Sequence, residues 1–205
     1  MALSKTLKSV WTKPTAHLLC ALPFAWLVYA ALNGHLGANP VEKLTHETGQ
    51  WTLRLLLVTL CISPLRQWSG VGAWIRFRRL LGLWAYFYCC CHFAIWFVAD
   101  HSLSVSDMVE DVIKRPYISL GFSAFVLLLP LAVTSTQGMQ RKLGRRWRSL
   151  HQLVYVILIL GVLHLIWLVR ADYLEATIYA VIATFLLLHR IEPLKSLSAK
   201  SPLMR

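Results

Sequence analysis

Residues 80–99 read LLGLWAYFYCCCHFAIWFVA, twenty positions without a formal charge and with one histidine, His92. At ~1.5 Å rise per residue, a helix of about 20 apolar residues crosses the ~30 Å hydrocarbon layer of a bilayer. Five further runs of the same character flank this one, at 15–32, 51–65, 117–134, 150–169 and 173–188. Six such runs in 205 residues leave too little polar surface to wet a soluble bundle. The composition agrees, with 57% hydrophobic and only 15% charged residues, against roughly 25% charged in an average soluble domain. No polar linker or low-complexity tract divides the chain. The expected fold is therefore all-α, a six-helix transmembrane bundle forming one domain over residues 1–205.

The charges give the bundle a direction. A formal net charge of +12 would, in a soluble chain, point to nucleic acid. Sixteen of the 21 basic residues, however, fall in the N-terminus, the second and fourth loops and the tail, where Arg66, Arg78, Arg141, Arg145, Arg190 and Lys195 are representative. Eight of the nine acids lie on the opposite side, Glu192 being the exception. The positive-inside rule then predicts cytoplasmic termini and basic loops facing lipid headgroups, with no nucleic-acid partner. Arg54, inside the second run, is expected to snorkel to the outer interface. The first run carries Pro23, Trp26 and Tyr29 and no small-x-small cleavage pattern, so a retained helix is expected rather than a signal peptide.

Position in the membrane sorts the eight histidines. His35, His46 and His101 fall in outer loops, and His17 and His189 near inner helix ends, where a histidine is an ordinary interfacial side chain. In the polar stretch before the second run, Thr45 or Thr48 is the expected helix cap. His92, His151 and His164 differ, because an ionisable ring within a membrane helix is costly and marks a functional site. His92 and His164 lie on two helices running the same way, at depths matching within about 3 Å. Two imidazoles at one level on neighbouring helices suit the two axial positions of a heme iron. His151 precedes His164 by thirteen residues, about 20 Å along the axis and about 140° around it in a straight helix, so a shared face needs a change of winding, for which Gly161 is the candidate.

Level with His151, the third helix offers Arg78 and Arg79, cations fit for heme propionates or a flavin phosphate. Cys89, Cys90 and Cys91 point about 100° apart and cannot converge with His92 on one ion. No Walker loop, dinucleotide fingerprint or nucleophile triad is present.

Gly37-Ala38-Asn39-Pro40-Val41-Glu42, Arg78-Arg79-Leu80-Leu81-Gly82-Leu83 with His92, Lys114-Arg115-Pro116-Tyr117, Thr134-Ser135-Thr136, and the run from Met139 to Trp147 leading to His151 and His164 closely resemble the MsrQ family. These are the heme-binding membrane subunits of bacterial protein-methionine-sulfoxide reductases, within the ferric reductase-like transmembrane group. The resemblance implies a b-type cytochrome of the bacterial inner membrane, without a substrate-level catalytic site of its own. It would pass electrons to a periplasmic MsrP-type molybdopterin reductase that repairs oxidised methionines. His92, His151 and His164 match the family's heme-ligand positions, and FMN is implied as a further cofactor. Related NADPH oxidases carry a second histidine on the third helix where this chain has Arg78 and Arg79, which leaves the heme count at one or two. Membrane quinone and a cytosolic flavin reductase both suit the inner level as electron donor. A stand-alone metalloreductase and a proton or solute transporter with a histidine relay are the other readings of the same residues.

Overall fold

A computed structural model describes residues 7, 9, 11–169 and 173–199, the last nine by backbone alone. Of the charges used above, Lys5, Lys8, Arg170, Asp172, Lys200 and Arg205 lie outside the described residues, as do the side chains of Glu192 and Lys195. The described residues are helical, with no strand among them: α1 (Thr12–Leu32), α2 (Pro40–Ser69), α3 (Ile75–Ile95), α4 (Val105–Lys114), α5 (Pro116–Val133), α6 (Gln137–Leu143), α7 (Arg145–His151), α8 (Leu153–Leu168) and α9 (Leu174–Ala199). Four segments are long and apolar enough to cross a membrane: Thr12–Leu32, Gly72–Asp100, Pro116–Val133 and Arg145–Leu168.

Local chemistry sets the ends. Helix α2 begins eleven residues before its apolar run because Asn39 and Pro40 start it: the Asn39 side chain accepts from the Glu42 amide and donates 2.8 Å to the Glu42 carboxylate, and Pro40 takes the first-turn place where no amide is needed. Thr45 and Thr48 are therefore not caps. They sit inside the helix and donate back to the carbonyls of Val41 and Leu44 at 2.9 and 2.7 Å. At the other end Gly70, at φ +67°, supplies the left-handed residue that stops α2. Helix α3 follows a short 3₁₀ turn, Gly72–Trp74, and ends in a π-helical turn, Trp96–Asp100. Ser104 caps α4, an amphipathic helix within what the hydropathy pattern reads as a loop. Its Val105, Val109 and Ile113 form one exposed apolar stripe.

The fifth run is not one continuous helix. Gln152 separates α7 from α8, its amide reaching back to the carbonyls of Arg148 and Ser149 at 3.2 Å. The change of winding expected near Gly161 therefore occurs at Gln152. Gly161 lies within regular α8, its open side against Leu53.

The elements pack as two antiparallel pairs, α2 with α3 and α5 with α8, joined through α3 and α5. Helix α9 closes the group against α8 and α2, while α1 lies outside on α3. Leu56, Leu60, Ala85, Tyr88, Leu128, Ile157 and Leu158 form the dry centre. The fully buried Tyr88 ties α1 to α3 by donating to the Cys20 carbonyl at 2.8 Å. Leu18, Leu22, Trp26, Val156, Ile159, Val181 and Phe185 cover the outside, an apolar surface suited to lipid.

Arg54 is held by side chains of α2 and α9. Its guanidinium donates to Gln50 at 2.5 Å, to the Tyr179 hydroxyl at 2.7 Å and to Glu175 at 3.2 Å, and lies over the Trp51 ring at 5.1 Å. A Gln50–Glu175 hydrogen bond completes the cluster. A charge in an apolar span is held where it finds partners, and the first turns of α9 supply them in Glu175 and Tyr179.

Candidate functional site: two histidines held by two helix pairs

The structure brings His92 of α3 and His164 of α8 together. Their ring centres are 6.3 Å apart and their planes nearly perpendicular, at 81°. Each ring is held by the helix paired with its own. His92 Nδ1 lies 2.8 Å from the Thr45 carbonyl on α2, and His164 Nδ1 lies 2.7 Å from the Tyr117 carbonyl on α5. A carbonyl only accepts, so each Nδ1 carries the proton and donates it. Each Nε2 is thereby left as the lone-pair nitrogen, the state in which imidazole binds metals.

The two arrangements share one spacing. Histidine and carbonyl are 47 residues apart in both. A glycine follows four residues after each accepting carbonyl, Gly49 in α2 and Gly121 in α5, and the rings rest on them. A Cβ at Gly49 would meet the His92 ring at 3.0 Å, and one at Gly121 would meet the His164 ring at 2.9 Å. Glycine within a helix costs about 1 kcal/mol relative to alanine. Here each one admits an imidazole against bare backbone.

This donor set would suit a metal centre held between two imidazoles. Two Nε2 atoms bound to one ion at about 2 Å each put the ring centres about 6 Å apart, and the observed separation is 6.3 Å. Both donors are neutral nitrogens, the type that holds heme iron. Among the described residues no group of three or more histidine, cysteine or acidic side chains converges, and Cys89, Cys90 and Cys91 are free thiols.

His151 stands apart from the pair, at the far end of the α7–α8 segment. Its ring stacks on Trp147, 3.9 Å between centres, with Nδ1 3.1 Å from the Trp147 carbonyl. Trp147 is anchored by donating to the Thr134 carbonyl at 3.0 Å. The His151 Nε2 is buried and makes no hydrogen bond. Arg78 faces inward beside the Tyr155 hydroxyl and within electrostatic reach of Arg190 and His151. Arg79, one position further round α3, is exposed. The structure thus places Arg78, but not Arg79, on the inner side with His151.

Residue reading missed four contributors: the carbonyls of Thr45 and Tyr117, and Gly49 and Gly121. It also set His46 aside as a loop residue, whereas it lies on α2 near His92, 3.5 Å from the Gln50 amide. The available signal was the recurrence: a mid-helix glycine 43 positions before each of two intramembrane histidines.

Known proteins resemble this chain over most of its length. The ferric reductase like transmembrane component matches residues 48–162, which take in Gly49, His92, Gly121 and His151. The protein-methionine-sulfoxide reductase heme-binding subunit MsrQ of Herminiimonas arsenicoxydans is 48% identical over 182 residues, 87% of this chain and 84% of that protein. The MsrQ of Xanthomonas axonopodis pv. citri is 45% identical over 210 residues, covering 99% of this chain and 95% of its own. The MsrQ of Ralstonia nicotianae is 49% identical over 173 residues, 83% and 80% of the two chains. No solved structure matches. With a family model covering more than half of the chain and relatives near half identity over most of it, the chain belongs to the MsrQ family of ferric reductase-like membrane proteins.

Proposed function

We propose that this chain is a heme-binding, electron-carrying membrane subunit of a protein-methionine-sulfoxide reductase system. The observation that carries the reading is the His92–His164 pair, two neutral imidazoles with centres 6.3 Å apart, each fixed through Nδ1. Bound heme supplies reversible one-electron transfer. His92 and His164 present Nε2 from two helix pairs, and the Thr45 and Tyr117 carbonyls set the tautomer and hold the ring planes. If both histidines held the iron, no ligand place would remain for oxygen or a substrate, which suits a carrier of electrons. Gly49 and Gly121 let the rings sit against the backbone.

In this reading the chain crosses the inner membrane six times with both termini cytoplasmic, a topology its loop charges support. The paired histidines then lie toward the periplasm, and His151 about 20 Å nearer the cytoplasm. A second heme at His151, with Arg78 at its propionates, would make the number two rather than one. FMN fits the inner side, where quinone or a cytosolic flavin reductase delivers electrons. The acceptor is a periplasmic MsrP-type molybdopterin reductase, reached from the outer loops.

The test is the visible spectrum of the purified protein with pyridine hemochromogen counting. Reducible b-type bands are expected, and either His92→Ala or His164→Ala removes most of them. Unchanged bands in both variants refute the ligand assignment, and a colourless wild-type protein favours a histidine-relay transporter.

A further inference from the structure

We propose that α4 lies flat in the surface of the bilayer, at the end of the bundle where the paired histidines stand, with its stripe of Val105, Val109 and Ile113 sunk among the lipid chains. The proposal rests on the chain's crossing a membrane and not on the heme reading. At about 100° per residue, the side chains of α4 sort into three arcs. Val105, Val109 and Ile113, all exposed, fall within about 80° of one another. Asp107, Glu110 and Lys114, also exposed, fall within about 60°. The half-buried Met108, Asp111 and Val112 fall within about 100°. The centres of the three arcs stand roughly 120° apart. One side of the helix therefore meets the bundle, the second is aliphatic and the third is charged. A helix so divided is at rest where protein, hydrocarbon and water meet.

The chain holds α4 at that place. The helix connects two segments long and apolar enough to cross a membrane, Gly72–Asp100 and Pro116–Val133, with four residues before it and one after it. The approach bends sharply. Ser102 and Leu103 both take left-handed backbone, at φ +48° and +66°, which residues other than glycine adopt only at a cost. The Ser102 and Leu103 amides close the bend by donating to the carbonyls of Val98 and Phe97 at 3.1 Å. The His101 ring packs edge-on to Trp96, with centres 4.6 Å apart, and its Nε2 lies 3.3 Å from the Asp111 carboxylate. Asp111 also accepts from Arg115 at 2.8 Å, and Ser119 of α5 donates to the Val112 carbonyl. A strained turn clamped on both sides fixes the rotation of the helix, and with it the direction of the stripe.

Lipid is the occupant the stripe fits. Val98 and Leu103, both more than half exposed, lead from the end of the preceding span into it. The stripe holds no aromatic residue and no arginine, the types that anchor protein interfaces. Its three aliphatic side chains fall far short of the roughly 800 Å² per partner that a stable complex buries. Ile113, 75% exposed, stands four residues before Tyr117, whose carbonyl orients His164. The bilayer surface is thus tied to the chain close to the paired-histidine site.

Nitroxide scanning of the full-length chain in phospholipid nanodiscs tests this. Single labels go on Val109→Cys and Ile113→Cys in the stripe, and on Asp107→Cys and Glu110→Cys on the charged side. The unsubstituted chain, treated alike, is the blank for its five free thiols. All four positions are exposed, so labelling leaves the packing intact. Each label's accessibility to oxygen, which concentrates in hydrocarbon, is divided by its accessibility to a water-soluble nickel chelate. The ratio is expected to be at least about fivefold higher on the stripe than on the charged side. A smaller difference puts the stripe in water, open to a soluble partner, and overturns the proposal. Stripe labels shielded from both reagents are covered by protein, which overturns it too. Visible spectra of the same samples report separately on the histidine pair.

Discussion

Replacing Gly121 by alanine tests the paired-histidine site without touching a ligand. The new methyl carbon would stand 2.9 Å from both Cε1 and Nδ1 of His164, and 3.2 Å from Cγ. Non-bonded carbon contacts are comfortable at about 3.5–4.0 Å, so the ring must retreat by about 0.6 Å or more. Retreat stretches the 2.7 Å bond from Nδ1 to the Tyr117 carbonyl beyond the usual limit of about 3.2 Å. An orphaned buried donor costs about 1–3 kcal/mol and overpacking a further 1–3 kcal/mol, some of it relieved by the same movement. A net cost of about 2–4 kcal/mol corresponds to roughly 30- to 1,000-fold in affinity. The cost falls on the ligated state, because in the free protein the ring can swing away from the methyl group. The assay is the rate of heme transfer from purified protein to an apoglobin acceptor, expected to rise for Gly121→Ala and less for Gly49→Ala, where the contact is 3.0 Å. An unchanged rate and Soret band in Gly121→Ala would show slack around His164 and refute the claim that the glycine sets the ring.

Three other outcomes follow from the structure. Arg54→Met leaves Glu175, Gln50 and Tyr179 without their shared donor and should cost about 1–3 kcal/mol; thermal unfolding in detergent measures it, and Arg54→Met/Glu175→Met should be less destabilised than the single variant. Asn39→Ala removes the start of α2 and should cost about 1 kcal/mol, read as a lower Tm with ligand spectra retained. Trp147→Leu removes the ring under His151 and its anchor to Thr134, so any spectral component dependent on His151 should shift while that of the His92–His164 pair stays.

Hydropathy made the apolar helices legible but not their true ends. Helix α2 begins at Pro40 because hydroxyls such as those of Thr45 and Thr48 satisfy themselves on the preceding turn. A polar stretch of that kind reads as loop when only transfer energies are summed, although Asn39, Pro40 and Glu42 spell a helix start. The amphipathic α4 escaped for the same reason, since its stripe of Val105, Val109 and Ile113 recurs every fourth residue and averages out over a longer window. The break at Gln152 has no glycine or proline to announce it, whereas Gly161 invited one and is instead a packing contact with Leu53. The histidines themselves were legible because an ionisable ring in an apolar run has few innocent explanations. Their supports were not, because a backbone carbonyl carries no sequence signature. The partners of Arg54 were not legible because Glu175 and Tyr179 lie more than 120 residues away.

The shared spacing of 47 residues between histidine and carbonyl has a consequence for biogenesis. Each ring and the carbonyl that orients it belong to one pair of consecutive long helices, α2–α3 or α5–α8. As the chain enters the bilayer in order, the first half-site can be set, tautomer included, before the second is synthesised. Only the docking of the two pairs then brings His92 opposite His164. An iron held by the pair would then be captured late in assembly, as a clasp between two halves that were each finished in advance.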